Sequence, residues 1–79
     1  MTVLLFAAAR EAAATGTTSL ELPAGATVAD ALARLAASHP SLAGVLPSCR
    51  AAVDEEFVGA NAALRDGSTL AILPPVSGG

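Results

Sequence analysis

The sequence predicts a small α+β fold, in which a mixed sheet carries one main helix packed on one face. A short, strongly apolar stretch with strand composition lies near each end of the chain, at residues 2–8 and 68–74. Between them, residues 26–40 place apolar side chains at helical spacing. The chain has 79 residues and a single cysteine, so one compact core must stabilise it without disulfides.

The first third of the chain predicts two strands around a short helix. Thr2–Ala8 is rich in Val, Leu and Phe, which favours a strand. Residues 10–16 indicate about two turns of helix, with Gly16 as its stop. In residues 17–23, Leu20 and Leu22 alternate with polar side chains, which is typical of a half-solvated strand.

The main helix has the clearest signals in the sequence. Thr27 is a good N-cap, and Asp30 three residues later completes a loose capping box. Pro40 forbids continuation of the helix. The apolar stripe predicted to face the core consists of Val28, Ala31, Leu32, Leu35 and Ala36.

The second half of the chain predicts a connection and three strands. Residues 41–50 supply apolar side chains to bury and a Gly and a Pro to bend the chain. Two short strands, Ala51–Val53 and Phe57–Val58, flank an acidic turn, and residues 68–74 form the last strand. Since the first and last strands are the most apolar, we expect them to lie side by side at the centre of the sheet.

Strand parity predicts which side chains lie on the sheet face away from the main helix. If the helix covers Val3 and Leu5, then Phe6 and Leu73 point the other way, and Phe57 joins them from a neighbouring strand. Such an exposed apolar patch usually marks a partner site. The alternative, equally open at this point, is that residues 10–16 or 59–67 cover Phe6, or that Phe57 turns inward.

Composition argues against several classes of function. The chain has no lysine and a net charge of −3, which is a poor match to nucleic acid. It lacks an apolar run long enough to span a membrane, and its N-terminus lacks the basic region of a signal peptide, so we expect a cytoplasmic protein. Cys49 and His39 have no metal-ligand spacing, and the acids at 54–56 are typical of a solvated turn. The sequence therefore predicts neither a metal site nor an autonomous enzyme.

The C-terminal residues predict an arm attached to the domain. We expect residues 1–73 to form the domain and residues 74–79 a flexible tail that ends in Gly-Gly. Pro74 and Pro75 stop the strand and stiffen the exit. Val76 and Ser77 extend the arm, and the two glycines allow a narrow channel and a close approach by a partner's backbone. The tail is thus suited to carry a carboxylate into the active site of another protein.

Three segments together resemble the MoaD/ThiS family of sulfur carriers. They are "VLLFAAARE", "LPAGATVADALARLAASHP" and, most specifically, "DGSTLAILPPVSGG". The resemblance covers essentially the whole chain and implies a ubiquitin-like β-grasp fold. The ending "PPVSGG" is more similar to members that serve molybdenum-cofactor synthesis than to those of the thiamine pathway.

The resemblance implies a reaction sequence that uses other proteins. An adenylyltransferase similar to ubiquitin-activating enzymes would use ATP to adenylate the C-terminal carboxylate, and a sulfur donor enzyme would convert it to a thiocarboxylate. The tail would then insert into the large subunit of molybdopterin synthase, expected as a heterotetramer, and sulfur would pass to cyclic pyranopterin monophosphate. The chain itself would bind no cofactor.

The resemblance also implies roles for individual residues. Gly79 would bear the adenylate and then the sulfur, and Gly78 would let the tail thread. Partner contacts would come from Phe6, Phe57, Leu73, Arg10 and the tail residues Pro74, Pro75, Val76 and Ser77. In "VDEEFV" this chain departs from the Asn-Gly-type turn of many relatives, which weakens the assignment of Phe57. Alternatives are a carrier for thiamine or cysteine synthesis, a ubiquitin-like protein modifier, and an interaction module with an inert tail.

Overall fold

A computed structural model describes residues 1–65 and 67–74 of the chain. Its strands are β1 (Thr2–Leu5), β2 (Thr17–Ser19), β3 (Arg50–Val53), β4 (Glu56–Val58) and β5 (Thr69–Leu73). Its α-helices are α1 (Ala7–Ala13) and α2 (Val28–Ser38), and two 3-10 turns, Pro40–Leu42 and Leu46–Ser48, connect α2 to β3.

The strands form one mixed sheet in the order β2-β1-β5-β3-β4. The central pair, β1 and β5, is parallel, and the other neighbouring pairs are antiparallel. The predicted α+β class and the central position of the first and last strands are both confirmed.

The core lies between one face of this sheet and both helices. Val3 and Leu5 of β1 and Leu70 and Ile72 of β5 are fully buried there. The other members of the cluster come from the two helices, the end of β2 and the connection: Ala9, Leu20, Ala31, Leu35, Leu42 and Leu46. Because Ala9 belongs to this cluster, α1 packs on the same side of the sheet as α2.

The predicted start of α2 is confirmed in detail. The Asp30 amide donates to Thr27 Oγ1 over 3.4 Å, and the Thr27 amide donates to Asp30 Oδ2 over 2.9 Å. This reciprocal pair is a capping box, which satisfies amides that have no partner within the helix. The helix ends at Ser38, two residues before Pro40.

All three elements predicted in the first third have wrong boundaries. The second strand ends at Ser19 and not at Pro23, because its ladder with β1 ends where Ser19 pairs with Thr2, the first residue of β1. The first strand ends at Leu5 and not at Ala8, because Ala7 takes a left-handed φ of 50° and turns the chain into α1. The helix stops at Ala13, with Ala14 rather than Gly16 in the left-handed capping conformation (φ 60°). The Gly16 carbonyl instead accepts a hydrogen bond from the Leu5 amide (2.9 Å).

Candidate functional site

We call the sheet face opposite the helices the open face. It carries an apolar groove of about 570 Å³. Phe6 and Phe57 are its large apolar side chains, 42% and 63% exposed. The groove is lined by Leu4, Phe6, Ala52, Asp54, Glu55, Phe57, Thr69, Ala71 and Leu73. Of the alternatives that the sequence left open, the structure therefore favours exposure of both phenylalanines.

The segments that could have covered Phe6 pack elsewhere. Helix α1 contributes Ala9 to the core on the other side of the sheet. Residues 60–64 run beside the start of α2, where the Val28 amide donates to the Ala62 carbonyl (3.0 Å) and the Leu64 amide to the Ala26 carbonyl (2.8 Å).

Phe6 is positioned by the sharp turn between β1 and α1. It precedes the helix in an extended conformation, so its side chain keeps the strand parity of Leu4. Its amide donates to the Ile72 carbonyl (3.2 Å) and its carbonyl accepts from the Ala9 amide (3.1 Å). These bonds tie Phe6 to β5 and α1 at once, next to the end of the last strand.

Phe57 is positioned by a tight hairpin between β3 and β4. Val53 pairs with Glu56, and the two residues between them, Asp54 and Glu55, have φ of 49° and 73°. Positive φ at both central positions is typical of a type I′ turn, which usually takes Asn-Gly. The acidic dipeptide thus forms the predicted turn, and Phe57, whose assignment the departure from the family pattern had weakened, lies on the open face opposite Ala52.

The Asp54 conformation is supported by hydrogen bonds to β5. The Asp54 amide donates to the Thr69 carbonyl (3.0 Å), and the Thr69 amide donates to Asp54 Oδ1 (2.9 Å). Asp also tolerates left-handed backbone better than most residues. These two bonds offset part of the backbone strain of the turn.

Arg50 borders this site, and the sequence analysis missed it: it does not line the groove but lies beside it, in a neighbouring depression that also contains Phe57. On β3 it is directly opposite Leu73, and its guanidinium Cζ lies 5.4 Å from the centroid of the Phe57 ring. This is cation–π geometry. The signal that could have found it is alternation along β3, which places Arg50 on the same face as Ala52.

The predicted tail begins beside the open face. Leu73 lines the groove as the last residue of β5, and Pro74 is exposed directly after it. Pro75, Val76, Ser77, Gly78 and Gly79, to which the sequence analysis gave roles, lie outside the described residues. Arg10 is exposed on α1 in a separate depression with Ala7 and Gly16, so it does not line the groove.

Cys49 and the described His, Asp and Glu side chains do not form a further reactive or metal-binding site. Cys49 is half-buried, its Sγ donates to the Val45 carbonyl (3.3 Å), and burial raises the pKa of its thiol, which makes it a weak nucleophile. Residues 1–65 and 67–74 contain no group of three or more His, Cys, Asp or Glu side chains that could hold a metal ion. Over the same residues, no helix is both long and apolar enough to cross a membrane.

A small α+β domain that presents an exposed apolar groove beside its last strand has the features of a protein-docking domain. The comparison with protein families identifies its kind: the ThiS family model matches residues 3–79, and the chain belongs to this family.

Two curated relatives that match nearly the whole chain carry the same protein name. The molybdopterin synthase sulfur carrier subunit of Chlamydomonas reinhardtii is 43% identical, with 98% of this chain and 95% of that protein covered. The protein of the same name in Arabidopsis thaliana is 39% identical, with 98% and 80% covered.

The solved structures agree on the fold. The crystal structure of small archaeal modifier protein 1 from Haloferax volcanii superposes with a TM-score of 0.89 at 31% identity, covering 99% of this chain and 97% of that one. The ubiquitin-like β-grasp fold implied by the family resemblance is thereby confirmed.

Proposed function

We propose that this chain is a sulfur carrier of molybdenum-cofactor synthesis, acting as the small subunit of a molybdopterin synthase. The observation that carries the proposal is the identity of 43% over nearly all of both chains with a protein named as that subunit. The carrier is not catalytic alone, and the reaction takes place in the active sites of its partners.

The chemistry of the proposal is centred on Gly79. The carboxylate oxygen attacks the α-phosphorus of ATP on an adenylyltransferase, and pyrophosphate leaves. Sulfur supplied by the donor at the sulfide level then attacks the acyl carbon and AMP leaves, so that a C–S bond replaces the C–O bond of the anhydride and the product is the thiocarboxylate. A carboxylate is a poor acyl donor, so the mixed anhydride with AMP is what makes this exchange feasible. The thiocarboxylate sulfur is the nucleophile delivered to cyclic pyranopterin monophosphate.

The open face supports the delivery step. Leu73 belongs both to the groove and to the last strand, so a protein that docks on Phe6, Phe57 and Leu73 meets the start of the tail. Gly79 lies six positions after Leu73, a reach of about 20 Å at roughly 3.3 Å per residue. A partner whose active site lies within that distance of its docking surface can receive the carboxylate. We assign this partner role to the large subunit and to the adenylyltransferase.

The intact mass of the protein tests the proposal. The full chain is incubated with its adenylyltransferase, ATP and a sulfur donor enzyme, and we expect a mass increase equal to the exchange of one oxygen for sulfur. A variant that lacks Gly79 should keep its mass and its thermal unfolding midpoint. An unchanged mass of the full chain, under conditions that thiolate an authentic carrier, would refute the sulfur-carrier function.

A protein modifier is the second candidate, because a solved relative with a TM-score of 0.89 is named a modifier protein. In this function the Gly79 carboxylate would form an amide with a lysine of a target. The chain has no lysine, and its last arginine is Arg65. Trypsin would therefore leave residues 66–79 as a branch on the target lysine. Detection of this branch in cell lysate would support conjugation, and its absence would count against it.

A further inference from the structure

We propose that Arg50 and Glu55, at opposite ends of the open face, set the orientation in which the partner docks. The partner surface would present an acidic side chain near the tail exit and a basic one near the β3–β4 turn, with apolar side chains between them. This inference rests on the proposed function, because it specifies how the large subunit recognises the open face.

The cationic end of the face is held by two neighbouring strands. Arg50 is exposed, pairs with Leu73 on β5 and stacks over the ring of Phe57 from β4. A guanidinium that already rests on an aromatic ring has fewer orientations to lose when a partner carboxylate binds it. Because Arg50 pairs with Leu73, the last residue of the sheet before the tail, its backbone lies beside the tail exit, and its guanidinium extends over the ring of Phe57 on β4.

The anionic end of the face is at the hairpin. Asp54 and Glu55 both line the groove, but the Asp54 carboxylate already accepts the Thr69 amide hydrogen bond at 2.9 Å. Glu55 is exposed at the tip of the turn, and it is the acidic side chain of this domain that would contact a basic side chain of the partner. Asp54 lies four positions after Arg50 along the chain, so their Cα atoms are about 13 Å apart at roughly 3.3 Å per residue.

Orientation needs such a device because the apolar side chains of the face, Phe6 and Phe57 included, offer no charge and no hydrogen bond that would favour one docking direction. Between the charged ends lie small and apolar side chains, including Leu4, Ala52 and Ala71, which a partner could contact in either direction along the strands. A docking reversed by half a turn would move the tail exit to the far end of the interface, away from the active site. Charges at the rim of an interface steer association and fix register.

A charge-exchanged double variant tests the inference without changing net charge. Arg50→Glu together with Glu55→Lys leaves the net charge at the −3 of the parent chain, since the changes of −2 and +2 cancel. The matched control is Arg34→Glu with Glu21→Lys, which exchanges an exposed pair outside the groove. Both are mixed with the purified large subunit of molybdopterin synthase from the same cells, and association is followed by stopped-flow fluorescence of a label on the large subunit.

We expect the Arg50/Glu55 exchange to slow association by about 10-fold or more at low salt, and the control by less than about 2-fold. The difference should shrink at high salt, where exposed charges are screened. Unfolding midpoints of the two double variants, measured in parallel, verify that both remain folded.

The outcomes separate this inference from the proposed function. If Phe6→Ala weakens binding while the Arg50/Glu55 exchange behaves like its control, the orientation inference alone is overturned. If the parent chain does not bind the large subunit and Gly79 is not thiolated, the proposed function fails and the inference with it. A concentration-dependent dimer in sedimentation that Phe57→Asp abolishes would also overturn the inference, since the occupant would be a second copy of this chain.

Discussion

Truncation of the two phenylalanines should separate docking from folding, because the structure exposes them to different degrees. Phe57 is 63% exposed and Phe6 is 42% exposed. With about 200 Å² for a phenylalanine, about 130 Å² of Phe57 and about 85 Å² of Phe6 remain to be buried by a partner. At roughly 25 cal/mol per Å², Phe57→Ala should cost up to about 3 kcal/mol of binding and Phe6→Ala about 2 kcal/mol. These energies correspond to roughly 100-fold and 30-fold in Kd.

The two substitutions should destabilise the folded domain in the opposite order, with Phe6→Ala costing more stability than Phe57→Ala. Phe6 already buries the larger share of its surface within the domain, so Phe6→Ala should lower the free energy of unfolding by about 1 kcal/mol more than Phe57→Ala. Calorimetric titration with the large subunit ranks the two variants by their loss of binding, and thermal denaturation followed by circular dichroism ranks them by their loss of stability. Leu22→Ala is the control, since Leu22 packs against the core away from the open face and its truncation should reduce stability and leave Kd unchanged. The reasoning is refuted if Phe6→Ala impairs binding more than Phe57→Ala, or if both match Leu22→Ala in binding.

Substitutions at three further places test local features of the structure: the β3–β4 turn, the start of α2 and Cys49. Glu55→Gly should raise the free energy of unfolding by about 1 kcal/mol in urea denaturation because Glu55 has a φ of 73°, whereas Glu56→Gly in β4 should lower it by a similar amount. Thr27→Ala and Asp30→Ala should each cost about 1 kcal/mol, and the double variant less than their sum, since both break the same capping box. Burial raises the pKa of the Cys49 thiol above its unfolded value, so the stability this group contributes is complete below about pH 8.5 and is lost as pH rises through the folded-state pKa. Cys49→Ala should flatten this alkaline loss in pH-dependent thermal denaturation.

The parts of the fold that could be predicted from sequence are those with redundant signals. The α2 start has a cap, a reciprocal acid and an apolar stripe, all of which agree. The central strand pair follows from two apolar runs, and parity within them predicted the exposed side of Phe6 and Leu73. Phe57 could be placed only with the structure, because its face depends on the turn that Asp54 and Glu55 form.

The parts that could not be predicted depend on backbone conformations without a sequence signal. Ala7 and Ala14 both take left-handed φ, although alanine favours neither that region nor any break in a helix. Nothing in the composition of "FAAAREAAATG" marks those two alanines over their neighbours. Arg50 was missed for a different reason: its role follows from the registers of β3 with β4 and with β5, which long-range pairing determines.

The β3–β4 turn links the stability of the sheet to the composition of the open face. The paired bonds between Asp54 and Thr69 fix how β3 aligns with β5. Because side chains alternate along a strand, a shift of β3 by one residue would turn Arg50 and Ala52 toward the helices and bring Ala51 and Val53 outward. The same register also sets Phe57 through β4. An acid at position 54 therefore maintains the docking face through the register it fixes, and the neighbouring Glu55 is left to meet the partner.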